Sequence, residues 1–215
     1  MTGAVLWDMD GTLVDSEEYH WLSWRDTMAS EGVAITHDQF LKTFGQRNDS
    51  ILPQWLKAGA SAEHMQWVGD SKEELYRKLV HQGDLKPLPG VMEWVRRLRE
   101  QGWRQAVASS APRKNIEVVL EVLGMASFFD ALVSAEDVTA GKPDPQVFQK
   151  GAERLGMPAS RCIVVEDAVP GVEAARRAGM RCIGVSRKGL LTGADVVVRS
   201  LVDLPIGTFE ELSRR

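Results

Sequence analysis

The amino-acid sequence predicts an α/β protein whose core is a doubly wound, Rossmann-like parallel sheet, with an all-helical cap domain inserted into that core. Two observations lead to this prediction. Short, mostly apolar runs alternate with helix-like stretches along most of the chain, which is the pattern of strands covered by helices on both faces. Residues 15–86 interrupt the alternation, because this segment has helical periodicity and no convincing strand.

The predicted strands are short, and several are almost wholly apolar. They lie at residues 4–7, 105–108, 131–134, 162–165 and 182–185, with a possible sixth at 196–198. Helical stretches separate these runs, so consecutive strands have to be joined by crossovers. Crossovers of this kind make the sheet parallel and place helices on both of its faces.

The helices of the core are marked by a proline near the start or a glycine just past the end. They are predicted at residues 91–101, 112–123, 145–155 and 170–178, and the tail from residue 194 is predicted to hold the last strand and a short closing helix. In the inserted segment the helical stretches are 17–30, 36–43, 48–58 and 62–81. Thr36 and Gln39 have the spacing of a capping box at the start of the second stretch.

These patterns divide the chain into a core domain, residues 1–14 and 87–215, and a helical cap domain, residues 15–86. Four of the seven tryptophans fall in the predicted cap, namely Trp21, Trp24, Trp55 and Trp67. We expect them mainly to pack between helices, and stacking on a substrate is the alternative.

Composition limits the possible partners. The chain has 215 residues and a formal net charge of -4, which does not suit a nucleic-acid partner, because nucleic acid requires a basic surface. The N-terminus has neither a signal-peptide pattern nor an apolar run that could cross a bilayer, so we expect a cytoplasmic protein without a membrane partner. Cys162 and Cys182 lie in apolar runs and are expected to be buried thiols rather than a disulfide or a metal site.

Polar side chains follow the predicted strands at their carboxyl ends. Asp8 follows the first strand, Ser109 the second, and Glu166 and Asp167 the strand at 162–165. The carboxyl ends of parallel strands form the ligand crevice of such a sheet, so these side chains should converge. Taken singly, Ser109 and Asp167 could be helix caps. Independent caps, however, have no reason to fall at the ends of three strands opposite an Asp-x-Asp pair.

Asp8 and Asp10 are separated by one residue and, with Glu166 and Asp167, could bring up to four carboxylates together. Such a cluster is tolerable only if it binds a cation or keeps protons. All four candidate metal ligands offer oxygen, and neither His nor Cys accompanies them, which favours a hard ion. Mg²⁺ fits better than Ca²⁺, because it commonly combines a few carboxylates with a substrate phosphate.

An ionised carboxylate beside Mg²⁺ and a phosphate group can attack phosphorus and form an aspartyl phosphate. Phosphoryl transfer also needs positive charge on the phosphate oxygens and a proton for the leaving oxygen. Lys142, in a loop before a predicted helix, can supply the charge, although taken alone it could be a solvated surface lysine. Ser109 offers a hydroxyl just ahead of a helix N-terminus, and Asp10 is placed to act as general acid and base.

The order of these residues resembles the four motifs of the haloacid dehalogenase superfamily. The first motif, Asp-x-Asp-x-Thr/Val, appears as Asp-Met-Asp-Gly-Thr at residues 8–12. The second is a Ser or Thr after an apolar strand, here Ser109, and the third is a lysine, here Lys142. The fourth is an acidic pair, here Glu166 and Asp167. The match spans nearly the whole chain.

The resemblance implies that Asp8 is the nucleophile and Asp10 the general acid and base. It also implies Mg²⁺ held by Asp8, the main-chain carbonyl of Asp10 and Asp167, with the phosphate held by Ser109 and Lys142. A helical cap inserted after the first motif is a further feature that the resemblance implies, and it agrees with the segment at 15–86. Closure of such a cap excludes water from the reaction.

Within the superfamily the chain most resembles the small sugar-phosphate phosphatases and the β-phosphoglucomutase-like group. His20 matches a cap histidine that acts near the general acid in the mutases. Arg47 matches a cap arginine that grips a substrate phosphate, and Lys72 matches a cap lysine more loosely. The alternative for His20 is an ordinary packed or exposed histidine, and for Arg47 and Lys72 it is a charge on a helix surface.

The function predicted from these observations is that of a Mg²⁺-dependent phosphatase hydrolysing a small sugar phosphate or similar phosphomonoester. The alternative is β-phosphoglucomutase-like transfer, which converts hexose 1-phosphate to hexose 6-phosphate. After Ser109 the mutases usually carry a Ser-Lys pair, whereas this chain has Ala111 and Pro112, a pattern more typical of the phosphatases. A phospho-receiver and an inactive binding protein are remote alternatives. We expect a small phosphorylated substrate as the partner and a monomer, although no pattern sets the oligomeric state.

Overall fold

The computed structural model describes residues 3–56, 59–186 and 191–214. Within these residues the core is a six-stranded sheet in which all neighbouring strands are parallel. The strands are β1 (Ala4–Trp7), β2 (Arg104–Ala108), β3 (Ala131–Val133), β4 (Cys162–Glu166), β5 (Arg181–Val185) and β6 (Val196–Val198). Their order across the sheet is β3-β2-β1-β4-β5-β6. This order confirms the predicted doubly wound core. It includes β6, which was predicted only as a possible sixth strand.

The helices fall into two groups along the chain. Those between β1 and β2 are α1 (Glu17–Ser30), α2 (His37–Leu41), α3 (Asn48–Trp55), α4 (Ala62–Gln82) and α5 (Val91–Glu100). Those after β2 are α6 (Arg113–Val122), α7 (Gln146–Leu155), α8 (Val169–Arg177) and α9 (Thr208–Leu212). Short 3₁₀ turns lie at Ala126–Phe128, Ala135–Asp137, Ala159–Arg161 and Leu201–Asp203.

Most observed boundaries differ from the predicted ones by one or a few residues. The capping box before α2 is present, since the Gln39 N–H donates to Oγ1 of Thr36 at 3.2 Å and the Thr36 N–H donates to Oε1 of Gln39 at 2.8 Å. The helix predicted at 48–58 ends at Trp55, and Ala58, its predicted end, lies outside the described residues. Glu166 is the last residue of β4 rather than the residue after it, because it is still in register with β5.

The sheet places β1 at its centre, between β2 and β4. Trp7 is in register with Val107 on β2 and with Val165 on β4. The backbone N–H of Asp8 donates to the Val165 carbonyl at 3.0 Å, which extends the ladder by one residue. After β1 the chain builds β2 and β3 on one side and then crosses to β4 on the other. This change of direction opens a crevice at the carboxyl edge of the sheet, beside Asp8.

Apolar side chains cover both faces of the sheet. Along β1, Val5 and Trp7 belong to the cluster that also contains side chains of α5, α6 and α9. Ala4 and Leu6 belong to the cluster on the opposite face, with side chains of α7 and α8. All four residues of β1 are fully buried. The strand is therefore apolar at every position, where a strand with one solvated face would alternate.

Helices α1 to α4 have an apolar cluster of their own. Its buried members are Trp24, Met28, Phe40, Ile51, Leu52 and Val68. Trp21 and Trp55 pack against it, and the rings of Trp24 and Trp55 meet edge to face. Trp67 differs, since it is 57% exposed and stacks on His64. A separate cluster suits a cap, and the division of the chain at residues 14 and 86 stays a prediction.

The two cysteines are buried and form no disulfide, as predicted. Burial raises the pKa of Cys162 to about 11, so this side chain is a neutral thiol at physiological pH. Among the described residues no helix combines the length and the apolar character that crossing a membrane requires.

Candidate active site

The side chains predicted to converge meet at the carboxyl edge of the sheet. Asp8 follows β1, Ser109 follows β2 and Glu166 ends β4, and all three are buried. Lys142 reaches them from the loop that precedes α7. These four residues and Asp167 line one cavity of about 620 Å³. The sheet thus supplies the carboxylates and the hydroxyl of the site, and a loop supplies its cation.

Lys142 is held between two buried carboxylates. Its Nζ lies 2.5 Å from Oδ1 of Asp8 and 2.7 Å from Oε2 of Glu166. Burial disfavours the charged ammonium group, but the attraction of Asp8 and Glu166 outweighs burial and raises the pKa of Lys142. Lys142 is therefore a cation fixed inside the site and not a solvated surface lysine.

Three carboxylates gather beside this lysine. One oxygen from each of Asp8, Glu166 and Asp167 lies within 4.8 Å of the others. Burial, followed by the charge of Glu166, raises the pKa of Asp8 to about 7, although Lys142 acts to lower it. Burial, followed by Glu166 and Asp8, raises the pKa of Asp167 to about 9. Among the described residues Lys142 is the cation bonded to the cluster, and beside it Asp8 and Asp167 still bind protons near neutral pH, which a divalent ion would displace.

The donor set fits Mg²⁺. The grouped ligands are carboxylate oxygens, and neither His nor Cys joins them among the described residues, which suits a hard ion. The oxygens of Glu166 are engaged, because Oε2 accepts from Lys142 and Oε1 accepts the backbone N–H of Asp167 at 3.2 Å. Asp8 and Asp167 are therefore the better placed of the three as direct ligands.

Two glycines make room for the acidic cluster, and neither was predicted to have a role. Gly11 has a φ of +85°, and a Cβ atom there would clash with the carboxylate of Asp167. A Cβ atom at Gly171, in the first turn of α8, would clash with the carboxylate of Glu166. Thr12 also supports the cluster, since its Oγ1 donates to Oδ1 of Asp167 at 3.3 Å. Gly11 and Thr12 both belong to the first motif, so this motif was the sequence feature that could have indicated their role.

Asp10 points away from the cluster, toward α1. Its Oδ1 accepts a hydrogen bond from Ser16 Oγ and lies 3.3 Å from Nε2 of His20. Burial alone would raise the pKa of Asp10, but His20, Ser16 and Lys72 together lower it. The acidic cluster among the described residues thus contains three of the four candidate carboxylates, and the fourth, that of Asp10, is held ionised nearby. Ser16 was not predicted, although it directly precedes α1.

His20 and Lys72 lie together between α1 and α4. Nζ of Lys72 lies 3.0 Å from Nδ1 of His20 and 3.0 Å from Oε1 of Glu73. Lys72 is 2% exposed, and its ammonium group lies over the ring of Trp24. Lys72 is therefore not a surface charge. It is the third member of a buried chain that runs from Asp10 through His20.

Glu73 connects this chain to the core. Its carboxylate accepts hydrogen bonds from Nδ2 of Asn48 at 2.8 Å and from Nδ2 of Asn115 at 2.5 Å. Asn115 is a fully buried residue of α6, and its Oδ1 accepts from Arg77 at 2.9 Å. Burial alone would raise the pKa of Glu73, but Lys72 and the other partners lower it. Neither Glu73 nor Asn115 was predicted, because their pairing depends on how two distant helices meet.

Arg47 connects α3 to the core at a second point. Its Nη1 donates to the carbonyl oxygens of Ala135 at 2.7 Å and Val138 at 3.2 Å. Its Nε and Nη2 donate to the carboxylate of Asp49 at 3.1 and 2.8 Å. Arg47 lines the cavity. Four of its five N–H donors, however, are engaged with protein groups.

The cavity has a charged end and a wall that combines apolar with polar side chains. The charged end is the site at the carboxyl edge of the sheet. The wall supplied by helices α1 to α4 and their connections includes Trp24, Phe40, Phe44, Ile51, Leu52 and Met65. A volume of about 620 Å³ leaves room for the organic part of a phosphorylated small molecule beside the charged end.

The fold and the site together define an α/β protein of the doubly wound class, with an acidic centre at the carboxyl edge of its parallel sheet and helices inserted after the first strand. The chain belongs to the haloacid dehalogenase-like hydrolases, because the model of that family matches residues 5–185. This result confirms the family that the four motifs indicate.

Similar proteins include a phosphatase and a mutase. Hexitol phosphatase B from Escherichia coli (strain K12) is 34% identical over 213 residues, which are 94% of this chain and 93% of that protein. The crystal structure of a β-phosphoglucomutase from Clostridium difficile matches with a TM-score of 0.90 and 26% identity, over 100% of this chain and 98% of the other. The protein SUPPRESSOR OF QUENCHING 1, chloroplastic, from Arabidopsis thaliana is 36% identical over 189 residues, but these are 85% of this chain and only 18% of that longer protein.

Proposed function

We propose that this protein is a Mg²⁺-dependent phosphatase that hydrolyses a small sugar phosphate or a similar phosphomonoester through an aspartyl-phosphate intermediate. The observation that carries the proposal is the position of Asp8, which lies 2.5 Å from Lys142 and within the acidic cluster that includes Asp167. Cations on both sides can keep this carboxylate ionised and hold a phosphate group against it. The similarity to hexitol phosphatase B supports a phosphomonoester as the substrate.

In this proposal Asp8 is the nucleophile. One of its carboxylate oxygens attacks phosphorus, the bond to the leaving oxygen breaks, and the phosphoryl group remains on Asp8. Water then attacks the same phosphorus, which releases phosphate and restores the carboxylate. Lys142 holds the phosphate oxygens as a fixed cation. Ser109 Oγ accepts the backbone N–H of Ala111 at 3.1 Å, so its O–H can donate to the phosphate.

Mg²⁺ would be held by Asp8 and Asp167, with the main-chain carbonyl of Asp10 as the ligand that the family resemblance adds. When bound, the ion supplies positive charge that offsets the clustered carboxylates and the transferring phosphoryl group. We assign Glu166 to positioning Lys142, because the two groups are 2.7 Å apart and Glu166 is fully engaged by protein donors.

Asp10 is the proposed general acid and base. The lowered pKa leaves this carboxylate ionised, so it must first take up a proton, from solvent water or from the bound phosphomonoester. It then delivers that proton to the leaving oxygen in the first step and takes a proton from the attacking water in the second. His20 lies 3.3 Å from Asp10 and holds its side chain in place. Lys72 supports His20 from the far side.

Residues 15–86 are proposed to be the cap that closes over the phosphate site. Three side chains of this segment, His20, Arg47 and Lys72, line the cavity together with the residues of the sheet edge. Closure would keep bulk water from the leaving group and would bring substrate-selecting residues over the phosphate. The protein is further proposed to act as a monomer in the cytoplasm, as predicted from the sequence.

β-Phosphoglucomutase-like transfer is the second candidate. The match to a β-phosphoglucomutase with a TM-score of 0.90 favours it, and so does the contact between His20 and Asp10. In that case a hydroxyl group of a second sugar position, and not water, takes the phosphoryl group from Asp8. The residues after Ser109 favour the phosphatase.

A panel of sugar phosphates assayed with Mg²⁺ tests the proposal, with released phosphate and isomerised product measured separately. Phosphate release that depends on Mg²⁺ and on Asp8 supports the phosphatase. Conversion of hexose 1-phosphate to hexose 6-phosphate, with little phosphate released and a requirement for a hexose bisphosphate primer, would show the mutase instead. Both candidates fail if no ester is turned over and beryllium trifluoride does not label Asp8 in the presence of Mg²⁺.

A further inference from the structure

Arg47 makes a contact that the proposed mechanism does not use. It directly precedes α3, and its Nη1 reaches the carbonyl oxygens of Ala135 and Val138 in and after the 3₁₀ turn of the core. Together with the bonds to Asp49, these contacts use the Nε donor, both donors of Nη1 and one donor of Nη2. The guanidinium group that would grip a phosphate is therefore already bonded to the protein.

Asp49 fixes the direction of this guanidinium group. It lies in the first turn of α3 and accepts from two nitrogens of Arg47, a bidentate and charge-assisted pairing of the strong kind. The hydrogen bond from Arg47 also lowers the pKa of Asp49, which is therefore ionised at neutral pH. A second phosphate group would have to displace this carboxylate and two carbonyl contacts to bind Arg47.

The other cations of the cavity do not replace Arg47 as a second phosphate site. Among the described lining residues they are Lys42, Lys72 and Lys142, with His20. Lys142 belongs to the catalytic end, and Lys72 is buried against Glu73. Lys42 is exposed to solvent, where water and salt screen its charge. The carboxylates of Asp49 and Asp70 also line the cavity and are exposed like Lys42, so they offset its charge rather than leave it for a second anion.

We infer that Arg47 is a strap between cap and core, held in place by Asp49, and that the enzyme therefore selects monophosphate esters whose remaining part carries no second phosphate. This inference rests on the proposed function and narrows its substrate class. The aromatic and aliphatic wall of the cavity suits the carbon face of a sugar or polyol, and the neighbouring polar side chains suit its hydroxyl groups.

The test compares glucose 6-phosphate with glucose 1,6-bisphosphate as substrates of the wild type, of Asp49→Asn and of a control, Asp38→Asn. Asp38 is an exposed residue in the first turn of α2, so its substitution also removes one negative charge from the cap. Release of Arg47 in Asp49→Asn should lower the KM for the bisphosphate, relative to that for the monophosphate, by about tenfold, as one charge-assisted hydrogen bond would. The control should leave the ratio unchanged. An unchanged ratio in Asp49→Asn overturns the inference.

Arg47→Ala distinguishes a strap from a phosphate ligand. A strap serves every substrate, so its loss should raise the KM for both esters by the same factor. A rise confined to the bisphosphate would show that Arg47 binds the second phosphate and would overturn the inference. Calorimetric binding of both esters to Asp8→Asn, with and without Asp49→Asn, repeats the comparison without turnover. Absence of hydrolysis by the wild type would refute the proposed function alone, while the binding ratio would still decide the role of Asp49.

Discussion

Nζ of Lys142 lies 2.5 Å from Oδ1 of Asp8, although 134 positions separate the two residues in the sequence. The central position of β1 brings Asp8 to the middle of the sheet edge, and the loop before α7 carries Lys142 across to it. The pair is largely buried, so its attraction is screened less than that of a surface ion pair. Lys142 acts to lower the pKa of Asp8, against burial and the charge of Glu166, which together still raise it to about 7.

Lys142→Ala should lower kcat/KM by at least about 100-fold, the lower range for removing one fixed electrostatic contact to a transition state. The loss leaves Asp8 and Glu166 without their shared cation and removes a contact to the phosphate. Lys150→Ala is the matched control, because Lys150 lies on the following helix and is 46% exposed. Steady-state rates with saturating Mg²⁺ measure the effect. Equal rates for the two variants would contradict the assigned role.

Substitution of the two aspartates of the first motif should affect turnover and labelling differently. Asp8→Asn should abolish turnover, because no carboxylate remains to accept the phosphoryl group. Asp10→Asn should slow turnover by at least about 100-fold, the lower range for general acid-base catalysis. Fluorine NMR with beryllium trifluoride separates the roles, since Asp10→Asn should still be labelled and Asp8→Asn should not. Near-normal rates in either variant would refute the corresponding assignment.

The affinity for Mg²⁺ should rise with pH. Asp8 has a pKa of about 7 and Asp167 a pKa of about 9 without the ion, and a protonated carboxyl group must lose its proton before it can ligate. The apparent Kd should therefore fall between about pH 6 and about pH 9, by up to about tenfold per pH unit for each proton released. Calorimetry in buffers with different ionisation enthalpies counts these protons. An affinity independent of pH over this range would contradict the expected coupling.

Asp167→Asn tests which carboxylate causes the rise in Mg²⁺ affinity at the upper end of this pH range. The variant should bind Mg²⁺ more weakly at every pH and should lose the dependence above about pH 8, because Asp8 alone remains to titrate. Asp195→Asn is a suitable control, since Asp195 is partly buried and paired with Arg181 away from the site. If Asp195→Asn weakened Mg²⁺ binding and its pH dependence in the same way, general destabilisation would explain the effect of Asp167→Asn.

Much of the fold and of the catalytic end followed from local patterns. The apolar runs of β1 and β4 and the glycines after the helices each mark an element independently of the rest of the chain. Asp8, Ser109 and Glu166 could be placed together because the carboxyl ends of parallel strands share one edge of the sheet. Lys142 could be proposed as the cation of the site from its loop before a predicted helix, but taken alone it could equally be a surface lysine, and the family resemblance strengthened its assignment.

The contacts that helices α1 to α4 and their connections make with the rest of the chain could not be predicted in this way. Arg47 reaches the carbonyl oxygen of Ala135, a backbone group that has no sequence signature. Glu73 meets Asn115 because α4 packs on α6, and helix periodicity does not state which helix faces which. Periodicity also missed that Lys72 is buried, because a lysine on an amphipathic helix is ordinarily at the surface.

Glu73→Gln should destabilise the protein by roughly 3–5 kcal/mol, because it leaves the ammonium group of Lys72 buried without its counter-charge. Glu74→Gln is the control: Glu74 is the next residue on α4 and is exposed, and its substitution should change the free energy of unfolding by less than about 0.5 kcal/mol. Urea unfolding followed by tryptophan fluorescence measures both, since four of the seven tryptophans lie in residues 15–86.

The dependence of this effect on pH has a definite sign. The pKa of Glu73 is lowered in the folded protein, so its contribution to stability is fully present above the unfolded pKa of about 4.3 and is lost as the pH falls through the folded value. The difference in stability between the wild type and Glu73→Gln should therefore be large at neutral pH and should shrink in acid. A difference that is equal at about pH 7 and about pH 3 would show that the substitution acts through packing and not through the charge that Glu73 provides to Lys72.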